Sequence, residues 1–425
     1  MEKEIIKRLI AEKQAEITSV KLVKRPIDLE SSANYVFIGL RRAGKSYLMY
    51  QIIQDLIKSK KHTIEEVLYI TFEDERIASI KAEELGLLLD AYKEMFDSKP
   101  IIFLDEIQNI DGWEKFARRL ADSKYRVFVT GSNAKMLSKE IYTTLGGRFI
   151  AHEVFPFSFQ EYLTYHKVSL KKNWEYGDIR TQVIRLFKDY FSYGGFAELF
   201  DITDKRTWTN SLYQKILLGD IISRNDIRNE NAIRVLAKKL AESVMQPSSL
   251  SRMKNIVDST GTTISRNTLV EYLQFLTDAY LVFGISNFSD KLSDKETFKK
   301  RYFFDNGLLN NFLFDPETKL LENLVAIDLK KKYGNDLFYY KKNIEVDFFI
   351  PKESRAIQVS YSIADDTTYQ REITALLKLS EVYKLKKLEI VTFSEETTLN
   401  ENGVTIQVIP IWKWLLLNLQ KIRET

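Results

Sequence analysis

Short apolar runs alternate with stretches of helical periodicity over the first third of the 425-residue chain. The runs occupy residues 35–38, 67–72, 101–104, 125–130 and 149–154, and apolar positions three or four residues apart follow them. Unbroken apolar runs of this length are typical of strands in parallel sheets, because helices cover both faces of such sheets. The pattern therefore predicts an α/β domain built on a parallel sheet.

Helical periodicity dominates the middle of the chain. Predicted helices at 232–245, 249–258 and 265–278 precede a predicted strand pair at 280–285 and 300–304. Three helices followed by a two-stranded ribbon form the outline of a winged helix-turn-helix, whose third helix enters the major groove of double-stranded DNA.

Basic and polar residues lie where this fold would meet DNA. They are Arg266 and Asn267 on the third helix and Lys299, Lys300 and Arg301 on the wing. The basic patch is small, and winged helices also serve protein–protein contacts, so double-stranded DNA and an unknown protein partner both stay open.

The last third of the chain alternates helix and strand again. A helix is predicted at 318–331, with strands at 336–340, 346–350 and 356–360. We predict an α/β fold class with three domains: a parallel-sheet domain at 1–155, a helical and winged-helix region at 156–300, and an α/β domain at 301–425.

Composition excludes several kinds of site. The chain has no cysteine, which excludes disulfides, thiolate metal sites and cysteine nucleophiles. Its three histidines are widely separated and form no ligand pattern, and a net charge of +4 permits nucleic-acid binding without arguing for it.

No apolar run approaches the length of a membrane helix, and the N-terminus lacks an apolar signal segment. We therefore expect a cytoplasmic protein without membrane contact.

The first predicted strand leads into a glycine-bounded loop and a helix, and the spacing matches a phosphate-binding loop. Its residues are Gly39, Leu40, Arg41, Arg42, Ala43, Gly44, Lys45, Ser46 and Tyr47. The glycines let backbone N–H groups face the phosphates, and the helix N-terminus adds a favourable dipole. We expect Lys45 to reach the β- and γ-phosphates and Ser46 to bind Mg²⁺. The loop is thus predicted to bind ATP with Mg²⁺.

The third predicted strand ends in Asp105 and Glu106. In a nucleotide hydrolase, Asp105 would hold Mg²⁺ and Glu106 would polarise the attacking water. A strand that ends in two acids is common by itself. Its place downstream of Lys45, in an alternating strand and helix pattern, favours the functional interpretation.

Polar residues end the fourth predicted strand, and an arginine precedes the fifth. Thr130, Ser132 and Asn133 lie where open α/β folds place their ligands, so one of them, such as Asn133, is a candidate to sense the γ-phosphate. Arg148 follows two glycines and is a candidate to reach the γ-phosphate of a neighbouring subunit, which implies a homo-oligomer. The alternatives are a simple turn for the polar residues and a surface arginine for Arg148.

Several segments together resemble a large group of prokaryotic AAA-type ATPases that carry a C-terminal domain of unknown function. The resemblance rests on GLRRAGKS, IIFLDEIQNIDGWEKFARRL, VTGSNA, LGGR and PFSFQEYL. It continues through YFSYGGFAEL, GDIISRNDIRN and YFFDNGLLNNFL, and so covers nearly the whole chain. The resemblance implies an ATPase core, then a helical and winged-helix region, then a nuclease-like fold, and little about biological role.

The order of the C-terminal elements resembles the restriction-endonuclease-like fold. Glu345 and Asp347 lie two apart on a predicted strand and share one face, which suits Mg²⁺, and the resemblance adds Glu322 from the preceding helix. It also implies an acid and a lysine where this chain has Gln358 and Ser360. Glutamine carries no charge and serine cannot replace the lysine, so we expect no nuclease activity.

Three functional hypotheses follow. The preferred one is Mg²⁺-dependent ATP hydrolysis that drives a conformational change in an attached nucleic-acid-binding or protein-binding module. The second is a nucleotide-gated DNA-binding switch with little turnover. The third is an ATP-regulated nuclease.

Overall fold

The computed structural model describes residues 2–137 and 139–417, and the chain forms two compact units. Unit 1 runs to Phe155 and adds Asp278–Tyr280, and unit 2 holds the remaining residues. Within the described ranges, no helix combines the length and the apolar character needed to cross a membrane. The cytoplasmic location stays a prediction.

Helices and strands alternate along unit 1. Its elements are α1 (Lys3–Ser19), β1 (Asn34–Ile38), α2 (Lys45–Lys58), β2 (Val67–Thr71), α3 (Gly86–Met95), β3 (Ile101–Asp105), α4 (Trp113–Asp122), β4 (Val127–Gly131), α5 (Lys139–Leu145) and β5 (Phe149–Glu153). All five strands are parallel, in the order β2-β3-β4-β1-β5. The predicted α/β class and the N-terminal parallel sheet are confirmed.

This strand order determines which loops meet. The carboxyl ends of parallel strands open at one edge of a sheet, and β4 lies directly between β1 and β3. The loops after β1, β3 and β4 are therefore neighbours. Stacked aromatic rings hold the three strands together beneath that edge, with the Phe103 and Phe128 centroids 4.7 Å apart and those of Phe37 and Phe128 6.2 Å apart.

Unit 2 begins with helices and ends with a large sheet. Its elements are α6 (Phe159–Tyr165), α7 (Asp178–Tyr193), α8 (Lys205–Lys215), a π-helical segment (Ile216–Ile222), α9 (Glu230–Glu242), α10 (Leu250–Ser259), α11 (Arg266–Asp278), β6 (Val282–Asn287), α12 (Leu292–Thr297), β7 (Lys299–Phe303), α13 (Asn306–Asn310), α14 (Glu317–Tyr333), β8 (Phe338–Lys341), β9 (Glu345–Ile350), β10 (Arg355–Val359), α15 (Asp366–Tyr383), β11 (Lys387–Thr392), β12 (Thr397–Glu401), β13 (Val404–Pro410) and α16 (Ile411–Leu417).

The eight strands of unit 2 form one mixed sheet in the order β12-β13-β11-β10-β9-β8-β6-β7. Its core packs α15 against the sheet through Ile373, Leu376 and Leu379, all buried beside Phe349 and Leu388. The helix therefore covers one face of the central strands.

The strand pair predicted as a wing belongs to this sheet. β6 and β7 are antiparallel to each other, and β6 also pairs in parallel with β8. The domain boundary predicted between residues 300 and 301 consequently falls inside β7. The predicted helices before the pair are α9, α10 and α11, and their winged-helix role stays a prediction.

Candidate functional site

The loop after β1 depends on two glycines. The φ angle is +147° at Gly39 and +90° at Gly44, a region that other residues rarely adopt. A Cβ on Gly39 would also lie 2.2 Å from the carbonyl oxygen of Val154, at the end of the neighbouring β5. The fold therefore requires glycine at the first of these positions for two separate reasons.

The helix α2 begins at Lys45, directly after this loop. The first backbone N–H groups of any helix have no partner within that helix, and no described side chain caps those of α2. Free N–H groups and the helix dipole together favour an anion at this edge of the sheet.

The remaining loop residues differ in exposure. Leu40 and Ala43 are buried, whereas Arg42 and Tyr47 are exposed and Arg41 is partly buried. The two apolar side chains thus anchor the loop, and the others lie toward solvent.

Lys45 has a buried side chain although it carries a charge. Its Nζ donates hydrogen bonds to the carbonyl oxygens of Gly39 at 3.2 Å and Leu40 at 3.1 Å, and lies 3.5 Å from Oε1 of Glu106. With only 4% of the residue exposed, the ammonium is held inside the loop that it follows in sequence. Lys45 and Glu106, which are far apart in the sequence, therefore lie in one site.

Asp105 lies at the end of β3 in a buried hydrogen-bond network. Its Oδ1 accepts from Thr130 Oγ1 at 2.5 Å and its Oδ2 accepts from Tyr69 Oη at 2.8 Å. Burial and the neighbouring Glu106 raise the pKa of Asp105, against hydrogen bonds from Thr130, Tyr69 and Ser46. The contact with Ser46 pairs the two residues predicted to bind Mg²⁺. Both offer the oxygen ligands that this ion prefers, so the pair fits it.

Glu106 adopts an unusual backbone conformation, with φ at +52°. Its N–H donates to Thr130 Oγ1 at 2.8 Å, which links β3 to β4. Burial alone would raise the pKa of its carboxyl, but Lys45 and a hydrogen bond from Gln108 lower it. The carboxylate is thus held in its ionised form, as a proton acceptor requires.

Gln108 was not singled out from the sequence. Its Nε2 donates to Glu106 Oε2 at 2.5 Å and lies 3.4 Å from Ser132 Oγ at the end of β4. Its Oε1 is buried without a hydrogen-bond partner in the described structure. The amide therefore connects the predicted base to the strand end predicted to sense phosphate.

The polar residues after β4 divide into two groups. Thr130 belongs to the Asp105 network, whereas Asn133 Oδ1 accepts from the backbone N–H of Lys135 at 2.7 Å. That bond is a turn contact, the alternative stated for Asn133. Asn133 is nevertheless buried at the same sheet edge, so its predicted sensing role stays a prediction.

Arg148 lies away from this edge. It precedes β5, whose first residue pairs with the first residue of β1, and its carbonyl accepts from Asn34 at 3.1 Å. Its side chain forms an ion pair with Asp122. Since β1 separates Asn34 from the loop, Arg148 is at the opposite end of the sheet from the phosphate loop of the same chain.

The acidic residues predicted in unit 2 do come together. Glu322, Glu345 and Asp347 all face Lys300, which is 1% exposed. Burial and Asp347 raise the pKa of Glu322 to about 7. The prediction that Lys300 contacts DNA on a wing is wrong, because its ammonium is directed into this cluster.

Two of the predicted nuclease positions are used elsewhere. Gln358 Oε1 accepts from the N–H of Asp347 at 2.8 Å and its Nε2 donates to the carbonyl of Glu345 at 3.1 Å. Ser360 Oγ donates to the carbonyl of Ser362 at 2.8 Å. Both side chains therefore bind backbone and not the carboxylate cluster.

Known protein families match two parts of the chain. Residues 31–163 match the model of an AAA domain, and residues 184–319 match a domain of unknown function. The first range holds the phosphate loop, Asp105 and Glu106. The second lies in unit 2 except for Asp278–Tyr280 and ends before the carboxylates on β9.

Individual relatives extend over nearly the full length. The uncharacterized protein MJ1544 of Methanocaldococcus jannaschii is 35% identical over 414 residues, which is 93% of this chain and 91% of that protein. An uncharacterized protein of Haemophilus influenzae is 29% identical over 393 residues, 90% of this chain and 94% of that protein. Among solved structures, the Walker-type ATPase PABY2304 of Pyrococcus abyssi is 15% identical, with a TM-score of 0.42 over 73% of this chain and 95% of that one.

Proposed function

The chain belongs to the same protein family as MJ1544 and carries an AAA domain, and we propose that it hydrolyses ATP with Mg²⁺. The observation that carries the proposal is the convergence of Lys45, Asp105 and Glu106 at one edge of a parallel sheet. A cation for phosphate, an oxygen ligand for Mg²⁺ and an ionised carboxylate are the groups that phosphoryl transfer to water needs.

Each residue has a distinct role in the proposed reaction. Backbone N–H groups from Gly39 to Ser46 cradle the phosphates, and Lys45 exchanges its two carbonyl contacts for phosphate oxygens. Ser46 and Asp105 would hold Mg²⁺, which neutralises charge on the phosphates when bound. Glu106, released from Lys45 by that exchange, accepts a proton from the attacking water.

We propose that the ATPase acts on an attached module that binds double-stranded DNA. Arg266 and Asn267 at the start of α11 are both exposed, which leaves them available to a groove or to another protein. A binding switch with little turnover is the second candidate.

ATP binding and phosphate release by the purified protein, with and without duplex DNA, test three ideas: ATP hydrolysis, coupling of hydrolysis to DNA, and the binding switch. We expect Mg²⁺-dependent phosphate release that DNA accelerates. ATP that stays bound without turnover would favour the switch, and absence of ATP binding would contradict both the ATPase and the switch.

Arg148 can act on ATP only from a second copy of the chain, because it lies at the far end of its own sheet. We therefore propose a homo-oligomer in which Arg148 contacts the γ-phosphate of its neighbour. In the same assay, the rate per subunit should rise with protein concentration and should not rise in Arg148→Ala. A rate per subunit that is constant down to monomer concentrations would contradict this role.

We predict that Gln108→Ala moves the acidic limb of the ATPase pH profile upward by about 1 pH unit, since a hydrogen bond to a charged group is worth about 1.5 kcal/mol or more. Gln108 lowers the pKa of Glu106 by donating to its carboxylate. Without that donor the base becomes protonated at a higher pH, and activity is lost earlier as the pH falls. Initial rates across pH at saturating ATP measure the shift.

Asn109→Ala is the matched control. Asn109 lies in the same turn, but its Nδ2 donates to the carbonyl of Phe72 at 3.2 Å and not to Glu106. An unchanged limb in Gln108→Ala, or an equal shift in both variants, would show that Gln108 does not position Glu106.

A further inference from the structure

Three carboxylates of unit 2 converge on one buried ammonium. Lys300 Nζ lies 3.0 Å from Asp347 Oδ1, 3.2 Å from Glu345 Oε1 and 3.6 Å from Glu322 Oε1. The four side chains come from β7, β9 and α14, which are separate in sequence. A single positive charge from β7 thus occupies the point where acids from β9 and α14 meet.

The carboxylate oxygens are also well supplied with other partners. Glu345 Oε2 pairs with Lys341 at 2.6 Å, and Asp347 Oδ2 accepts from the N–H of Val359 at 3.0 Å. Glu322 Oε1 accepts from Tyr302 Oη at 2.7 Å. Burial by itself lowers the pKa of Lys300, but attraction by the three carboxylates raises this pKa above its usual value. The ammonium therefore stays charged.

This arrangement does not fit the Mg²⁺ ion that the nuclease-like resemblance implies. Mg²⁺ needs about six oxygen ligands at roughly 2.1 Å, and an ammonium at the point of convergence excludes it. Gln358 and Ser360, which occupy the remaining positions of such a site, bind backbone groups instead. Across residues 2–137 and 139–417, no group of three or more acidic or histidine side chains is arranged to hold a metal ion.

We infer that Lys300 is the permanent cation of this cluster and replaces a divalent metal there, so that unit 2 fastens β7 to α14 and β9 without any metal ion. The inference concerns unit 2 alone and does not depend on ATP hydrolysis in unit 1. Its consequence is that the cluster does not catalyse metal-dependent DNA cleavage.

The decisive experiment uses electron paramagnetic resonance to measure how much Mn²⁺ binds to the nucleotide-free full-length protein. We expect wild type and Asp347→Asn to bind the same amount of Mn²⁺, because Asp347 holds no metal when Lys300 is present. Any Mn²⁺ at Asp105 in unit 1 cancels in this comparison.

Lys300→Met tests the converse. Removing the ammonium takes away the one cation that the three carboxylates share, and we expect the melting temperature to fall by roughly 10 °C in metal-free buffer. Mn²⁺ should restore most of the lost melting temperature, and Lys300→Met should bind one Mn²⁺ ion more than wild type. A further Asp347→Asn change should remove this additional ion. Lys341→Met is the matched control: it also takes a lysine from Glu345 but leaves Lys300 in place, and should gain no Mn²⁺.

Two results would overturn the inference. One is Mn²⁺ binding in wild type that Asp347→Asn abolishes, and the other is a folded Lys300→Met protein that binds no additional Mn²⁺. If Lys300→Met does not fold even with Mn²⁺, the wild-type and Asp347→Asn pair decides alone: equal binding supports the inference and unequal binding refutes it.

Discussion

Exchange of Glu106 for glutamine is expected to slow ATP hydrolysis by about two to four orders of magnitude, the usual contribution of a positioned general base. Glutamine keeps the shape of the side chain and its contact with Gln108, but it cannot accept a proton. Binding of ATP should persist, because Glu106 lies beside Lys45 and not among the loop N–H groups. Loss of the attraction between Glu106 and Lys45 leaves the ammonium freer to turn toward phosphate, so affinity should be equal or higher.

Single-turnover hydrolysis and equilibrium binding of a fluorescent ATP analogue separate the two effects. Glu83→Gln, an exposed glutamate in unit 1, controls for the loss of one negative charge. A Glu106→Gln protein that hydrolyses ATP at the wild-type rate would assign the base to another group, and the proposed mechanism would have to be abandoned.

The parallel sheet and its phosphate loop were predictable because the signals are local. Gly39, Gly44 and Lys45 lie within one short segment between a buried strand and a helix, and Asp105 and Glu106 directly follow another strand. Each feature depends on neighbours in sequence, so the strand order was not needed to recognise it.

Gln108 shows why the rest of this site was not predictable. Its importance depends on β4 lying next to β3, which brings Ser132 within 3.4 Å of its amide. Nothing in the order of residues along the chain specifies that adjacency. A polar residue in a turn after two acids is otherwise indistinguishable from a surface residue.

Gln108 is a site residue that the sequence did not indicate, whereas Lys300 is a residue for which the sequence predicted the wrong role. The three consecutive basic residues at 299–301 are predicted to lie on a DNA-facing wing, because three helices followed by a strand pair outline a winged helix. The side chains of a strand alternate between faces, however, so one member of such a run can be directed inward. The inward direction of Lys300 depends on Glu322 and Asp347, which are far away in sequence. Local patterns do not specify such partners.

Replacement of Lys45 by alanine is the second change from which we expect a large effect. The ammonium would contribute hydrogen bonds to charged phosphate oxygens, each worth about 1.5–3 kcal/mol, so ATP affinity should fall by about one to two orders of magnitude. Hydrolysis should fall further, because the lysine also stabilises charge that develops on the γ-phosphate. Titration with a fluorescent analogue and phosphate release at saturating ATP measure the two losses.

Two further variants distinguish a phosphate role from a general loss of charge. Lys58→Ala removes a lysine from the last turn of the same helix and should bind ATP normally. Lys45→Arg keeps the charge, but a larger planar guanidinium cannot reproduce the contacts that the compact ammonium makes with the carbonyls of Gly39 and Leu40. Arginine should therefore restore little activity, and full rescue would contradict a role that depends on the compact ammonium. Normal ATP binding by Lys45→Ala would remove the phosphate site itself from the proposal.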